Sequence, residues 1–176
     1  VTAFGLGGAT LAGNFQPITE AEGRTIVIDA YDSGVRYFDT APFYGYGKSE
    51  HVVGDGLRGR QDFVLSTKVG RLLKARRKPQ DSADAWQRPF PNDFEYDYSY
   101  DGVMRSYEDS LQRLGLDHID ILYVHDLDVW THGGSKETQY RYFRQAMESG
   151  YKALDQLRSA GDIKGIGLGG NDAQPI

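Results

Sequence analysis

Val35-Arg36-Tyr37-Phe38-Asp39-Thr40-Ala41-Pro42-Phe43-Tyr44-Gly45 reads as a β-strand, Arg36 to Asp39, that ends on an aspartate and opens into a loop carrying a tyrosine. Two further runs repeat the pattern. Phe63-Val64-Leu65-Ser66-Thr67-Lys68 ends on a lysine, and Ile119-Asp120-Ile121-Leu122-Tyr123-Val124-His125 ends on a histidine. A helical pattern follows each strand, so the strands are expected to be parallel, with their C-terminal ends on one face. Asp39, Tyr44, Lys68 and His125 would then meet in one mouth.

Working outward, Phe4 to Gly8 reads as a short first strand running into a glycine turn. Thr19-Glu20-Ala21-Glu22 is a capping box that opens a helix, closed by Gly34. A second helix starts at Lys48 or Ser49, with Val52, Val53 and Leu57 as its apolar stripe and Gly59 near its end. The segment from Gly70 to Tyr100 has no clear period, which suggests a functional or disordered loop. Asp101 is expected to cap a helix whose stripe is Val103, Tyr107, Leu111 and Leu114, with Gly115 past its end. After the strand at Ile119 to His125, an irregular stretch runs from Asp126 to about Tyr140. It leads to a helix striped by Met147, Tyr151, Leu154 and Leu157, ended by Gly161, and Lys164 to Gly170 is a fifth strand.

Strand–helix repeated four times and then a strand fits either an open doubly wound sheet or a (β/α)8 TIM barrel. The open nucleotide-binding sheet calls for G-x-G-x-x-G directly after the first strand. Gly5, Gly7 and Gly8 lack that spacing, and the helix begins only near Thr19. The α/β reading is therefore a TIM barrel, of which this chain supplies about the first five strands and four helices. Residues 1–176 are the N-terminal part of a single barrel domain on this reading.

The 176 residues suffice for one domain with a sizeable core, and the net charge of -5 disfavours nucleic acid or an anionic membrane as main partner. There is no cysteine, hence no disulfide framework and no thiolate metal site; this fits a reducing compartment, and a cytoplasmic location is expected. No apolar run approaches the roughly 18 residues of a membrane helix, and no basic-then-apolar leader opens the chain.

The four strand-end residues make an acid–base set. A phenol has an ordinary pKa of about 10, and an ammonium nearby stabilises its ionised form. Lys68 is placed to do this for Tyr44, Asp39 to balance Lys68, and His125 to bind and orient a substrate oxygen. The set can move a proton on one oxygen while a hydride moves at the adjacent carbon. No side chain donates hydride, so a nicotinamide is required. Each residue also has a plain alternative: Asp39 a loop cap, Tyr44 a packed aromatic, Lys68 a rim lysine, His125 a structural histidine bonded to Asp126. Their joint placement at successive strand ends favours the site.

The run Asp39-Thr-Ala-Pro-Phe-Tyr44-Gly-Tyr-Gly-Lys-Ser49-Glu50 resembles the signature of the aldo-keto reductase superfamily, as do Leu65-Ser66-Thr67-Lys68 and Arg113-Leu114-Gly115-Leu116-Asp117-His118-Ile119-Asp120. The resemblance spans nearly the whole chain. It implies Asp39, Tyr44, Lys68 and His125 as catalytic residues, with Tyr44 the general acid or base, and NAD or NADP as cofactor. Gly7, Gly8, Asp39 and Asn171 are the implied cofactor-binding residues. Finer segments, Ser49-Glu50-His51, His125-Asp126-Leu127-Asp128 and Gly161-Asp162-Ile163, resemble the branch that oxidises sugars and pyridoxal as cyclic hemiacetals to lactones. The implied substrate is thus a small carbonyl or hemiacetal compound. Many relatives end the fifth strand on Ser-Asn, whereas this chain has Gly169-Gly170-Asn171-Asp172, with Asn171 the expected counterpart. The family's pyrophosphate and adenosine contacts come largely from later strand–helix units. This chain alone is therefore expected to bind cofactor weakly and to expose two sheet edges.

Arg71, Lys74, Arg76, Arg77 and Lys78 form a basic cluster read as a solvated loop. Trp86 and Trp130, with Phe90 and Phe94, either wall a substrate pocket or pin the loops. His51 and His132 lack the spacing of a metal motif, and no metal is expected. Two other functions remain open on this scaffold: a non-catalytic binding protein, as in the potassium-channel beta subunits that resemble the family, and an inactive half-barrel.

Overall fold

A computed structural model describes residues 2–78 and 82–172. In chain order its elements are β1 (Leu6–Gly7), α1 (Glu20–Asp32), β2 (Tyr37–Asp39), α2 (Lys48–Leu57) and β3 (Val64–Val69). Four strands of an excursion follow: β4 (Arg71–Ala75), β5 (Ser82–Ala83), β6 (Trp86–Gln87) and β7 (Asn92–Tyr96). The chain continues as α3 (Tyr100–Leu114), β8 (Ile121–His125), α4 (Lys136–Gln145), a π-helical turn (Ala146–Gly150), α5 (Tyr151–Ala160) and β9 (Gly165–Gly169).

The main sheet has the order β1-β2-β3-β8-β9 and every pairing in it is parallel. A doubly wound sheet reverses direction from its first strand, whereas a barrel adds each strand beside the last. The sequential order is the barrel's. Registers are staggered as a tilted barrel requires: Asp39 faces Ser66, Lys68 faces Tyr123 and His125 faces Gly169. Outward positions Phe38, Leu65 and Leu122 are buried with Leu57, Leu114 and Leu154 of the helices, forming the core between sheet and helix layer. Toward the C-terminal ends of the strands the inward positions are polar. The Tyr37 hydroxyl lies 3.1 Å from Ser66 Oγ and 3.2 Å from the Tyr123 hydroxyl. Gly5 and Gly167 make room for these rings, since a Cβ on Gly5 would stand 2.6 Å from Tyr37 Cδ1 and one on Gly167 2.5 Å from Tyr123 Cε1. No helix among the described residues is long and apolar enough to cross a membrane.

The Thr19 capping box forms as expected, its side chain accepting from the Glu22 N–H while Glu22 accepts from the Thr19 N–H. Three expectations are corrected. The segment from Gly70 to Tyr100 carries an antiparallel hairpin, β4 with β7, and a smaller pair, β5 with β6. Arg71 and Leu72, adjacent in β4, are both buried, so the hairpin lacks the alternation that marks a half-buried strand. The cap of α3 is Ser99, whose side chain accepts from the Gly102 N–H at 3.1 Å; Asp101 sits within the first turn. The last helix begins at Lys136 and is divided by the π turn. Its buried stripe is Ala146, Gly150, Ala153, Leu154 and Leu157, while Met147 and Tyr151 are exposed. Small residues face inward because the helix lies hard against the chain at Tyr98, where a Cβ on Gly150 would overlap the Tyr98 carbonyl.

Candidate active site

The β2–α2 loop sets Tyr44. Gly45, Tyr46 and Gly47 take φ of 60°, 54° and 98°, a left-handed run that glycine permits at two of the three positions. The run ties back to the scaffold where Lys48 Nζ donates to the Ile18 carbonyl at 2.5 Å and Ser49 N–H donates to the Tyr44 carbonyl at 3.2 Å. Tyr46 packs with Phe94 and Phe43 and hydrogen bonds Asp84, anchoring the loop to the excursion.

Asp39 and His125 end β2 and β8, Lys68 is the penultimate residue of β3, and all three lie on the same inward face. Lys68 Nζ donates to Asp39 Oδ2 at 2.6 Å and to the Thr40 carbonyl at 2.9 Å. Asp39 Oδ1 accepts from Ser66 Oγ at 2.6 Å, so the carboxylate that balances the buried lysine is itself fixed. Lys68 Nζ is 4.7 Å from the centre of the Tyr44 ring, and that ring stands 5.7 Å from the His125 ring, nearly perpendicular. All four residues converge. Tyr44, Lys68 and His125 line one cavity of about 830 Å³.

Burial pushes the Tyr44 phenol above its ordinary pKa, while the charge of Lys68 and its hydrogen bond pull the other way. Lys68 thus acts on the phenol in the expected direction, and desolvation of the phenolate is the larger effect. Burial, with the charges of Arg71 and Lys68, holds His125 well below its ordinary value, so the imidazole is neutral.

Trp86 and Trp130 both line the cavity, in different ways. Trp86 is buried and packs against Phe43 and Tyr44 at 5.5 Å and 5.6 Å, so it both walls the cavity and pins the loop. Trp130 is 80% exposed, at the rim.

The implied cofactor residues divide. Asn171 lines the cavity and donates to Asp126 Oδ1 at 3.2 Å. Gly7 has open space where a Cβ would stand, and at Gly170 the nearest atom to a Cβ is 3.8 Å away. The ends of β1 and β9 thus leave a side-chain-free approach beside the acid–base set, which suits the flat ring of a nicotinamide. Gly8 commits both backbone groups to the fold, donating to the Asp39 carbonyl at 2.7 Å and accepting from Ser49 Oγ at 2.8 Å.

Arg71 corrects the reading of the basic cluster. Lys74 and Arg76 are the solvated face, paired with Glu95 and Asp93 of β7. Arg71 is 3% exposed, lies 4.3 Å over the Phe43 ring and bonds Asp126 Oδ2 at 2.9 Å. Its place directly after a strand-end glycine was the available signal. Among the described residues no group of three or more histidine or acidic side chains is arranged to hold a metal ion.

The profile of the aldo/keto reductase family matches residues 3–176. Pyridoxal 4-dehydrogenase from Microbacterium luteolum is 45% identical, covering 100% of this chain and 54% of that protein. D-threo-aldose 1-dehydrogenase from a Pseudomonas species is 35% identical over 96% of this chain and 50% of its own length. Among solved structures, a holo-form aldo-keto reductase from Bacillus halodurans superposes with a TM-score of 0.67 at 27% identity, covering 97% of this chain and 47% of that one. The chain spans about half the length of the curated relatives it matches.

Proposed function

The chain belongs to the aldo/keto reductase family, and from that premise we propose that it is the N-terminal part of a single barrel domain of an NAD- or NADP-dependent oxidoreductase. The proposed substrate is a small aldehyde or cyclic hemiacetal, a sugar or a pyridoxal-like ring. The observation that carries this reading is the Asp39–Lys68–Tyr44 contact, with His125 in the same cavity.

When bound, the nicotinamide supplies the hydride donor or acceptor. Gly7, Gly170 and Asn171 would hold its reactive end, with Asp39 fixing the lysine beside it. Tyr44 handles the proton at the substrate oxygen. In carbonyl reduction the phenol, protonated at neutral pH, gives its proton as the alkoxide forms, and the Lys68 charge offsets the cost that burial places on the phenolate left behind. In hemiacetal oxidation the phenolate takes the hydroxyl proton, and Lys68 stabilises that charge when it forms. His125, neutral, donates a hydrogen bond to the same oxygen and orients it. Phe43, Trp86 and Phe94 wall the cavity with flat apolar surface, which excludes water.

The test is Tyr44→Phe in an active preparation, with NAD- and NADP-linked turnover of pyridoxal and of aldoses as the readout. The chemical step should slow by about 10²–10⁴-fold, with cofactor affinity little changed. Undiminished turnover in Tyr44→Phe would remove the tyrosine from the mechanism.

A further inference from the structure

We propose that Tyr37 and Tyr123 are positioning residues, whose hydroxyls form with Ser66 a one-way chain of donors that ends on Asp39 and holds the Asp39–Lys68 pair beside Tyr44. Residues two apart in a strand share a face. β2 carries Tyr37 under Asp39, β3 carries Ser66 under Lys68, and β8 carries Tyr123 under His125. A layer of hydroxyls thus lies directly below the acid–base set. The layer is continuous. The Tyr123 and Tyr37 hydroxyls are 3.2 Å apart, the Tyr37 hydroxyl is 3.1 Å from Ser66 Oγ, and Ser66 Oγ is 2.6 Å from Asp39 Oδ1. Room for both rings comes from Gly5 and Gly167, where a Cβ would collide with them.

Proton counting fixes the direction of the chain. Asp39, paired with the ammonium, is a carboxylate and only accepts. Ser66 has a single proton, and at 2.6 Å it makes the short bond usual for a hydroxyl on an anion; the Phe38 carbonyl, at 3.5 Å, is the weaker acceptor. Having given that proton, Ser66 can only accept from Tyr37, and Tyr37, having given its own, can only accept from Tyr123. The opposite order would set two lone pairs against each other inside the barrel. A donating phenol is harder to ionise, and the Tyr123 phenol stands at about 12, chiefly through its hydrogen bond with Tyr37. Each bond in such a chain polarises the next, so Ser66 is a stronger donor to Oδ1 than an isolated serine. With Oδ1 taken, the carboxylate cannot turn about its Cβ–Cγ bond, a torsion that is otherwise broad. Oδ2 then stays on Lys68 Nζ at 2.6 Å, and the Thr40 carbonyl takes a second N–H at 2.9 Å. The third is left for the Tyr44 phenol, whose ring centre lies 4.7 Å from Nζ. That this placement serves proton transfer rests on the proposed function.

The experiment uses the chain itself, labelled with ¹⁵N, and reads the Lys68 ammonium by proton–nitrogen correlation, assigned by its loss in Lys68→Arg. A closed pair protects the ammonium, so its protons should exchange with water at least about tenfold more slowly than those of the exposed Lys152. Ser66→Ala should speed that exchange by about tenfold or more, the scale of a hydrogen bond to a charged group. Tyr37→Phe removes one oxygen and leaves Ser66 in place. It should speed exchange by about threefold, and Tyr123→Phe by less. Tyr37→Phe in the Ser66→Ala background should add nothing, because the chain is already cut. The backbone amide of Leu122, fully buried in β8, is the control for a general loosening of the fold. Exchange in Tyr37→Phe equal to wild type, or raised equally at Leu122, would reduce the two rings to filling and overturn the proposal. So would a larger effect from Tyr123→Phe than from Tyr37→Phe, effects that simply add in the double variant, or wild-type exchange as fast as at Lys152. The spectrum does not depend on turnover, so this inference and the proposed function fail separately.

Discussion

At the scale of single residues, the site is governed by charges placed where water is scarce. Asp39 is tolerable beside Lys68 because the pair is closed at 2.6 Å and because Ser66 and Thr40 take up the remaining polar capacity. The same logic recurs one layer out. Glu50, fully buried in α2, accepts from Thr67 Oγ1 at 2.8 Å and from Arg113 Nε at 2.5 Å. Arg113→Met would leave that carboxylate buried with only a hydroxyl partner. The expected cost is about 3–5 kcal/mol, the usual penalty for breaking a buried pair, read from urea unfolding. Glu50→Gln in the Arg113→Met background should recover part of it, because an amide carries no charge to strand. The motif at Ser49-Glu50 is thus legible in the sequence as a signature, but its role as a tie between α2, β3 and α3 comes from the contacts.

At the scale of elements, close approach decides which residues matter. α2 crosses α3 at Gly54, where a Cβ would overlap the Leu114 carbonyl. Alanine is the better helix former by about 0.8–1.0 kcal/mol, so propensity alone predicts that Gly54→Ala stabilises. Backbone is the obstacle, and backbone cannot rotate aside. Gly54→Ala should therefore destabilise, by about 1–3 kcal/mol as overpacking does, as measured by the shift in the denaturant midpoint at constant slope. Close approach also explains why the buried stripe of the last helix differs from the one its periodicity predicts. Periodicity gives weight to large apolar residues such as Met147 and Tyr151, whereas the buried face uses Ala146, Gly150 and Ala153. Small residues signal contact only when the neighbouring backbone is known. The β4–β7 hairpin is silent in the sequence for a related reason: both of its faces meet protein near its start, so no polar alternation is written into it.

At the scale of the whole molecule, ionisable groups buried in neutral form set the pH range of stability. His125 and His132 have pKa values lowered by burial. A depressed histidine contributes stability above its unfolded value of about 6.5, and that contribution is lost as pH falls through the folded value. Tyr44, Tyr98 and Tyr123 are displaced upward, Tyr44 and Tyr98 chiefly by burial, and Tyr123, at about 12, chiefly by its hydrogen bond with Tyr37. Their contribution is present below the unfolded value of about 10 and lost as pH rises beyond it. Urea midpoints measured across pH should therefore hold level between roughly pH 7 and 9 and fall on both sides. The acid limb should steepen toward about 1.4 kcal/mol per pH unit for each histidine still neutral in the fold. What the sequence by itself determined is the part written in local order: parallel strands from repeated strand–helix units, the capping box at Thr19, and the placement of Asp39, Tyr44, Lys68 and His125 at strand ends. Only the tertiary structure decided that burial outweighs Lys68 at the Tyr44 phenol, that Arg71 turns inward from a basic run, and that Asp126 pairs with that arginine. Those outcomes depend on distances between residues far apart in the chain and on how much water reaches them, and neither quantity is encoded in local spacing.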